Sequence, residues 1–188
     1  MKDYKLKIQS ATARSEKSPL HAASKGIDNK KTADTKGPEA NYFATKDVKG
    51  SLPWFQVELK EESVVWKVMI TNRLDIVQTA RLHITVGNSK RTDDYIVNER
   101  AEISQNRNKE TFTNASVVTS KNNECSQITG TGKKGEVYLI NCVSTNGSWP
   151  RGKYVTLQEI SEDNSQLTFR ELEVFGTSNI FIKLTIYF

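Results

Sequence analysis

The chain has 188 residues, 36% of them hydrophobic, and a formal net charge of +5, which suits one domain with a proper core and is too short for two ordinary ones. No run of about 18 apolar residues occurs, which excludes a helical membrane span. The Lys and Arg residues are scattered, with short clusters such as Lys30-Lys31, Lys90-Arg91 and Lys133-Lys134, and no helix-turn-helix, zinc-finger or RNA-binding signature accompanies them, so nucleic acid is not an expected partner.

Residues 1–7 lack the apolar stretch of a signal peptide. That leaves a cytosolic protein, or a secreted one whose leader is not part of this sequence. Residues 4–13 alternate weakly through Tyr4, Leu6 and Ile8 and are expected to form an entering strand. Residues 15–49 are polar, but the anchors Leu20, Ile27, Tyr42 and Phe43 favour a long ordered loop over disorder. A helical turn over residues 20–26 is expected to end at Gly26. Residues 54–59 and 64–71 alternate and are rich in Val, Ile and aromatics, which predicts a strand pair separated by the charged turn Lys60-Glu61-Glu62-Ser63.

Residues 81–87 predict a further strand, in which His83 has a structural role. Residues 92–108 are polar and irregular, while Val117-Val118 and residues 136–142 are further strand candidates. Residues 153–159 and 166–175 predict a closing antiparallel pair around the turn Ser161-Glu162-Asp163-Asn164. The tail over residues 177–188 alternates through Ile180, Ile182, Leu184, Ile186 and Phe188, as one more strand or as a stretch outside the domain. Cys125 and Cys142 are buried thiols in a reducing compartment, or a staple between two strands contributing roughly 3 kcal/mol once oxidised. The triplets Asn114-Ala115-Ser116 and Asn146-Gly147-Ser148 are compatible with secretion.

In order, the chain carries Ile27-Asp28, Asn41-Tyr42-Phe43, Pro53-Trp54-Phe55-Gln56-Val57-Glu58-Leu59, Asn72-Arg73-Leu74-Asp75, Val86-Gly87-Asn88-Ser89, Cys125 with Cys142, Gly152-Lys153-Tyr154-Val155-Thr156, and Leu167 onward to Gly176. This run, spanning roughly residues 5–176, resembles the F-type lectin domain of the fucolectin, tachylectin and pentraxin-fusion family, within the discoidin-like galactose-binding-domain superfamily. The family's usual run is an Asp-Gly-Asn loop, Tyr-Phe, Pro-Trp-Trp-x-Val-Asp-Leu, Asn-Arg-x-Asp, Val-x-Val-Gly-Asn-Ser, a cysteine pair, Gly-Arg-Tyr-Val-Thr, and Leu-Cys-Glu-Val-Glu-Val-Tyr-Gly. The resemblance implies an all-β, eight-stranded antiparallel jelly-roll β-sandwich. It also implies secretion and a calcium-dependent site for fucosylated glycans, formed by loops at one end.

In such a site fucose is held by a His, an Arg-x-Asp element and a further Arg or Lys. Arg73 and Asp75 match Arg-x-Asp, with the carboxylate fixing the guanidinium fork. Arg81 lies one residue beyond the expected spacing of the last cation. The His is absent; its slot falls near Lys46 or Val48, where Lys46 would donate as a mobile point charge. Both His21 and His83 lie too far away in sequence. The family's adjacent Cys-Cys is replaced by Ile76-Val77, which keeps an apolar wall.

For calcium, which takes six to eight oxygens, Asp28 and Glu171 match the side-chain carboxylates. Lys25, Lys30 and Arg170 stand where the family uses backbone carbonyls, and Thr45 is the expected hydroxyl. Trp54, Phe55, Trp66 and Tyr154 are expected in the core rather than against a sugar. An enzyme is not expected: no nucleophile elbow or His/Cys cluster occurs, and nothing orients Glu58, Glu171 or Glu173 as a glycosidase pair. The alternative to a lectin is a discoidin-fold interaction module with a degenerate sugar site, binding protein or anionic glycans. Homo-oligomerisation would add avidity in either case.

Overall fold

The computed structural model describes residues 4–31, 41–47, 53–75, 79–91, 122–143, 147–159 and 166–178. Strand β1 (Ile8–Ala13) is followed by two short 3-10 turns, Pro19–His21 and Ala23–Ile27. Then come β2 (Phe43–Ala44), β3 (Trp54–Thr71), β4 (Thr79–Gly87), β5 (Asn123–Thr131), β6 (Val137–Asn141), β7 (Arg151–Glu159), β8 (Thr168–Phe169) and β9 (Glu171–Ser178). Val48, Ile76-Val77, Val117-Val118, Asn114, Asn146, the turn at Ser161-Glu162-Asp163-Asn164 and the tail beyond Ser178 lie outside the described residues.

Residues 54–71 do not form the expected strand pair. They make one strand of 18 residues, because Lys60, Glu61 and Glu62 are absorbed as an irregularity: the register against β7 passes from Glu58 opposite Tyr154 to Ser63 opposite Gly152. A bulge of this kind bends a strand without ending it. The first part of β3 pairs with β1 and β7, and the last part with β6 and β9. A single strand therefore belongs to two layers, and the larger sheet runs β1-β3-β7-β4-β5. For the same reason β7 and β9 do not pair with each other as expected; each takes its own stretch of the β3 ladder. All these pairings are antiparallel.

Alternation decides what each layer buries. In one layer Phe55 lies opposite Leu157, which lies opposite Ile84, and Val57, Val155 and Val86 form the next row. In the other, Val68 stands between Val174 and Ile140, and Ile70 between Leu172 and Tyr138. These side chains belong to one apolar cluster, as two packed sheets require, and each fully buried Leu, Ile, Val or Phe contributes roughly 1.5–3 kcal/mol.

The long loop after β1 is anchored to this core at Gly26. A Cβ there would meet Phe169 Cε2 at 2.9 Å and Phe55 Cζ at 3.1 Å, so only glycine lets the second 3-10 turn close on the aromatic trio Phe43, Phe55 and Phe169. Cys125 on β5 and Cys142 just past β6 are joined as a buried disulfide. No helix among the described residues is long and apolar enough to cross a membrane.

Candidate ligand-binding rim

Where β3 ends, the chain turns at Asn72. Its side-chain Oδ1 accepts the Arg73 N–H at 2.8 Å, and its Nδ2 donates to the Lys133 carbonyl at 2.9 Å. The Gly135 N–H closes the same junction on the Arg73 carbonyl at 2.6 Å. With the backbone fixed from both sides, the Arg73 side chain is directed rather than free. Its Nε donates to Asp75 Oδ1 at 2.9 Å and its NH2 to Asp75 Oδ2 at 2.5 Å. Burial alone would raise the Asp75 carboxyl, but the hydrogen bonds and charge of Arg73 outweigh it and hold the group below the ordinary carboxylate range. The guanidinium carbon lies 3.7 Å from the centroid of the Tyr42 ring, a cation–π contact at close range.

His21 completes this group, although it lies far from it in sequence. Its ring stacks on Tyr42 with centroids 4.2 Å apart and planes 22° from parallel. Burial lowers its pKa below 6.5; a hydrogen bond to the Tyr42 backbone works against this, and the charges of Lys17 and Arg73 push with it. No local signal marks this contact; only the expectation that Tyr42 would be buried pointed toward it. Lys46 is exposed, with its backbone N–H donating to the Ser15 carbonyl at 2.6 Å. Arg81 occupies β4 opposite Thr129. His83 stands on β4 between Gln158 and Gln127; it is buried, and desolvation, then the nearby Arg91, takes its pKa down to about 4.

A second cluster gathers carboxylates beside this group. The Asn29 N–H donates to Glu171 Oε2 at 3.0 Å, the Lys30 N–H to Asp28 Oδ1 at 3.1 Å, and Asn41 Nδ2 to the same Asp28 oxygen at 3.2 Å. Asn41 Nδ2 also reaches the Lys30 carbonyl at 3.4 Å. Burial, aided by Asp28, raises the pKa of Glu171 to about 7. Its neighbour Glu173 is treated differently: burial would raise it, but Lys31 and Lys5 bind it and bring it below the ordinary range.

The donor set fits a hard cation. Asn41 is buried, and its Oδ1 has no hydrogen-bond partner; its Nδ2 is the atom turned to Asp28 and the Lys30 carbonyl, so the amide would have to turn over for the orphan oxygen to join those ligands on a calcium ion. Among the described residues no group of three or more His, Cys, Asp or Glu gathers as a metal site, so amide and carbonyl oxygens would have to complete the shell. Asn41 is a residue that sequence reasoning passed over as part of a motif.

The remaining candidates are placed as follows. The Thr45 hydroxyl accepts the Leu167 N–H at 2.9 Å, tying two loops together. The Arg170 N–H donates to the Thr71 carbonyl at 2.8 Å and its side chain is fully buried. The Lys25 N–H bonds the Ala22 carbonyl within the second 3-10 turn. Trp54 and Phe55 are buried, Trp66 tilts against Trp149 and Tyr154 is half-buried.

Solved structures share this architecture. A fucolectin from striped bass (Morone saxatilis) serum superposes with a TM-score of 0.61 at 21% identity, over 89% of this chain and 45% of that one. The chain thus spans less than half of the fucolectin. A Streptococcus pneumoniae fucose binding module gives a TM-score of 0.57 at 15% identity, over 93% of this chain and 96% of that one. The family 32 CBM of C. perfringens NanJ, solved in complex with galactose, gives 0.55 at 16% identity, over 88% and 92%. The chain has the discoidin-like galactose-binding-domain fold. At these identities the likeness establishes the β-sandwich alone. No family model matches the sequence, and no curated protein does.

Proposed function

We propose that the chain is a lectin: a secreted, calcium-supported carbohydrate-binding domain, without catalytic activity, that takes a fucose-type sugar at the Arg73–Asp75 rim. The observation that carries this reading is the fixed guanidinium. A neutral hydroxyl gains little over water unless its donor is already oriented, and Arg73 is held along one edge by Asp75 and across its face by Tyr42. Two of the similar structures are named for fucose, a fucolectin and a fucose binding module, which supports the choice of sugar. Lys46 and Arg81 are the flanking cations of this proposal.

Calcium would be held by Asp28, Glu171 and Asn41 with the Lys30 carbonyl, and Lys25, Thr45 and Arg170 are the further candidates. When bound, the ion supplies positive charge that ties the loop at residues 28–30 and the segment at 41–45 to the start of β9. A buried disulfide suits an oxidising compartment.

A glycan microarray probed in calcium and again in chelator tests the reading. Fucosylated glycans should be retained and then lost. Equal retention in both conditions removes the calcium, and no retention in either removes the lectin. A second reading draws on the exposed Lys46, Lys133 and Lys134, of which Lys133 is bonded to the Asn72 junction: a module for anionic glycans. It requires heparin retention at low salt that disappears as salt is raised.

A further inference from the structure

The sandwich presents one stack with a property that pairwise contacts hide. Two groups at 4.2 Å and 3.7 Å from the same six-membered ring cannot share one of its faces without overlapping. His21 and Arg73 therefore lie on opposite faces of Tyr42, and the order of the stack is imidazole, phenol, guanidinium, with the Asp75 carboxylate on the edge of the guanidinium. Three separate loops contribute to it.

The loop carrying His21 is held by contacts that do not use the imidazole. Its turn is closed by the His21 N–H on the Ser18 carbonyl at 2.9 Å, and the next residues are held by the Ala23 N–H on Glu16 Oε1 at 2.7 Å. Ala23 and Gly26 are buried against the core. The first turn carries no side-chain cap. The His21 ring adds a face for the Tyr42 ring and a hydrogen bond to the Tyr42 backbone; of the two, only the face survives in a Phe substitution. Tyr42 in turn offers its other face to Arg73, whose Nε and NH2 are already taken by Asp75, so the plane of the ring sets the direction of the remaining guanidinium edge.

We propose that His21 is a positioning residue of the rim: stacked on one face of Tyr42, it holds that ring as the platform for Arg73, and so sets the donor edge offered to a glycan hydroxyl. The glycan half of this statement rests on the lectin reading; the positioning half does not. Neutrality suits the role. Burial first, then the charges of Lys17 and Arg73, disfavour protonation of the imidazole, while its hydrogen bond to the Tyr42 backbone opposes them without reversing the direction.

The test uses the full chain without ligand. In ¹⁵N-resolved NMR the Arg73 Nε–Hε signal should persist near neutral pH in wild type, because that hydrogen is bonded to Asp75. In His21→Phe, which keeps a flat ring, it should persist as well. In His21→Leu, which fills the space without a ring face, and in His21→Ala it should broaden or exchange roughly tenfold faster. Thermal melts show which variants are folded, and His21→Leu serves where His21→Ala is not. In a Tyr42→Leu background the His21 substitutions should have no further effect. An Arg73 signal unchanged in His21→Leu overturns the proposal, as does loss of the signal in a folded His21→Phe.

Calorimetry with L-fucose on the same variants gives the second readout. The dissociation constant should rise between about twofold and about tenfold for Leu, the range of an aromatic pair, and return with Phe. If the NMR pattern holds but wild type takes up no L-fucose, the positioning role stands and the lectin reading falls.

Discussion

Replacing Glu171 by Gln isolates one carboxyl from the rest of the fold. Burial is the main reason its pKa rises from 4.5 to about 7; the Asn29 N–H works against the rise, Asp28 adds to it, Lys5 opposes it and Glu173 adds to it. A carboxyl whose folded pKa lies above its unfolded value favours folding in its protonated form. That contribution is complete below 4.5 and is lost as pH rises through about 7, and the gap corresponds to about 3 kcal/mol. His83 acts with the opposite sign over an overlapping window. Its folded pKa falls from 6.5 to about 4, so the unfolded chain takes up that proton first as pH drops. The two effects offset, and wild-type stability should vary little between about pH 5 and pH 7. The difference between Glu171→Gln and wild type removes the His83 contribution. Gln keeps an oxygen for the Asn29 N–H. In chelator, urea denaturation should give equal stabilities near pH 4.5 and a variant more stable by up to about 3 kcal/mol near pH 8. Calcium should reverse that order, because the carboxylate and not the amide supplies charge to the ion. A variant less stable than wild type near pH 8 in chelator would refute the reasoning.

Other substitutions probe the parts that hold the rim. Gly26→Ala places a methyl 2.9 Å from Phe169 Cε2, and overpacking at such a site should cost about 1–3 kcal/mol in denaturant; an unchanged midpoint would show that the aromatic trio can yield. Replacing Cys125 and Cys142 together by Ser opens a loop whose ends are 17 residues apart. It should cost about 3 kcal/mol, measured against the oxidised wild type, and a loss well under 1 kcal/mol would mean that the pairing adds little beyond its packing.

The strands were legible because apolar and polar residue types alternate strongly over Trp54 to Leu59, Ile84 to Gly87 and Tyr154 to Glu159, although the fold also buries their polar faces, Gln56, Thr85, Thr156 and Gln158 among them. Their connection was harder to read. Lys60-Glu61-Glu62-Ser63 has the composition of a turn, yet the charged residues stand on a bulge where β3 bends between layers, and composition does not distinguish a bulge from a hairpin. Arg73 with Asp75 could be read locally, since both residues lie within one short turn. His21 could not: its contact with Tyr42 spans two loops, and a stack of two rings leaves no pattern in either segment. Asn41 was similarly hidden, because an amide oxygen without a partner is visible only after the side chains around it are placed.

The central claim is that an oriented Arg73 makes this rim a sugar site, and calorimetric titration of L-fucose into wild type and Arg73→Ala in calcium tests it most directly. Wild type should release heat with a saturable isotherm, and Arg73→Ala, folded to the same melting temperature, should release none. Saturable binding that survives in Arg73→Ala, or its absence in wild type, contradicts the claim.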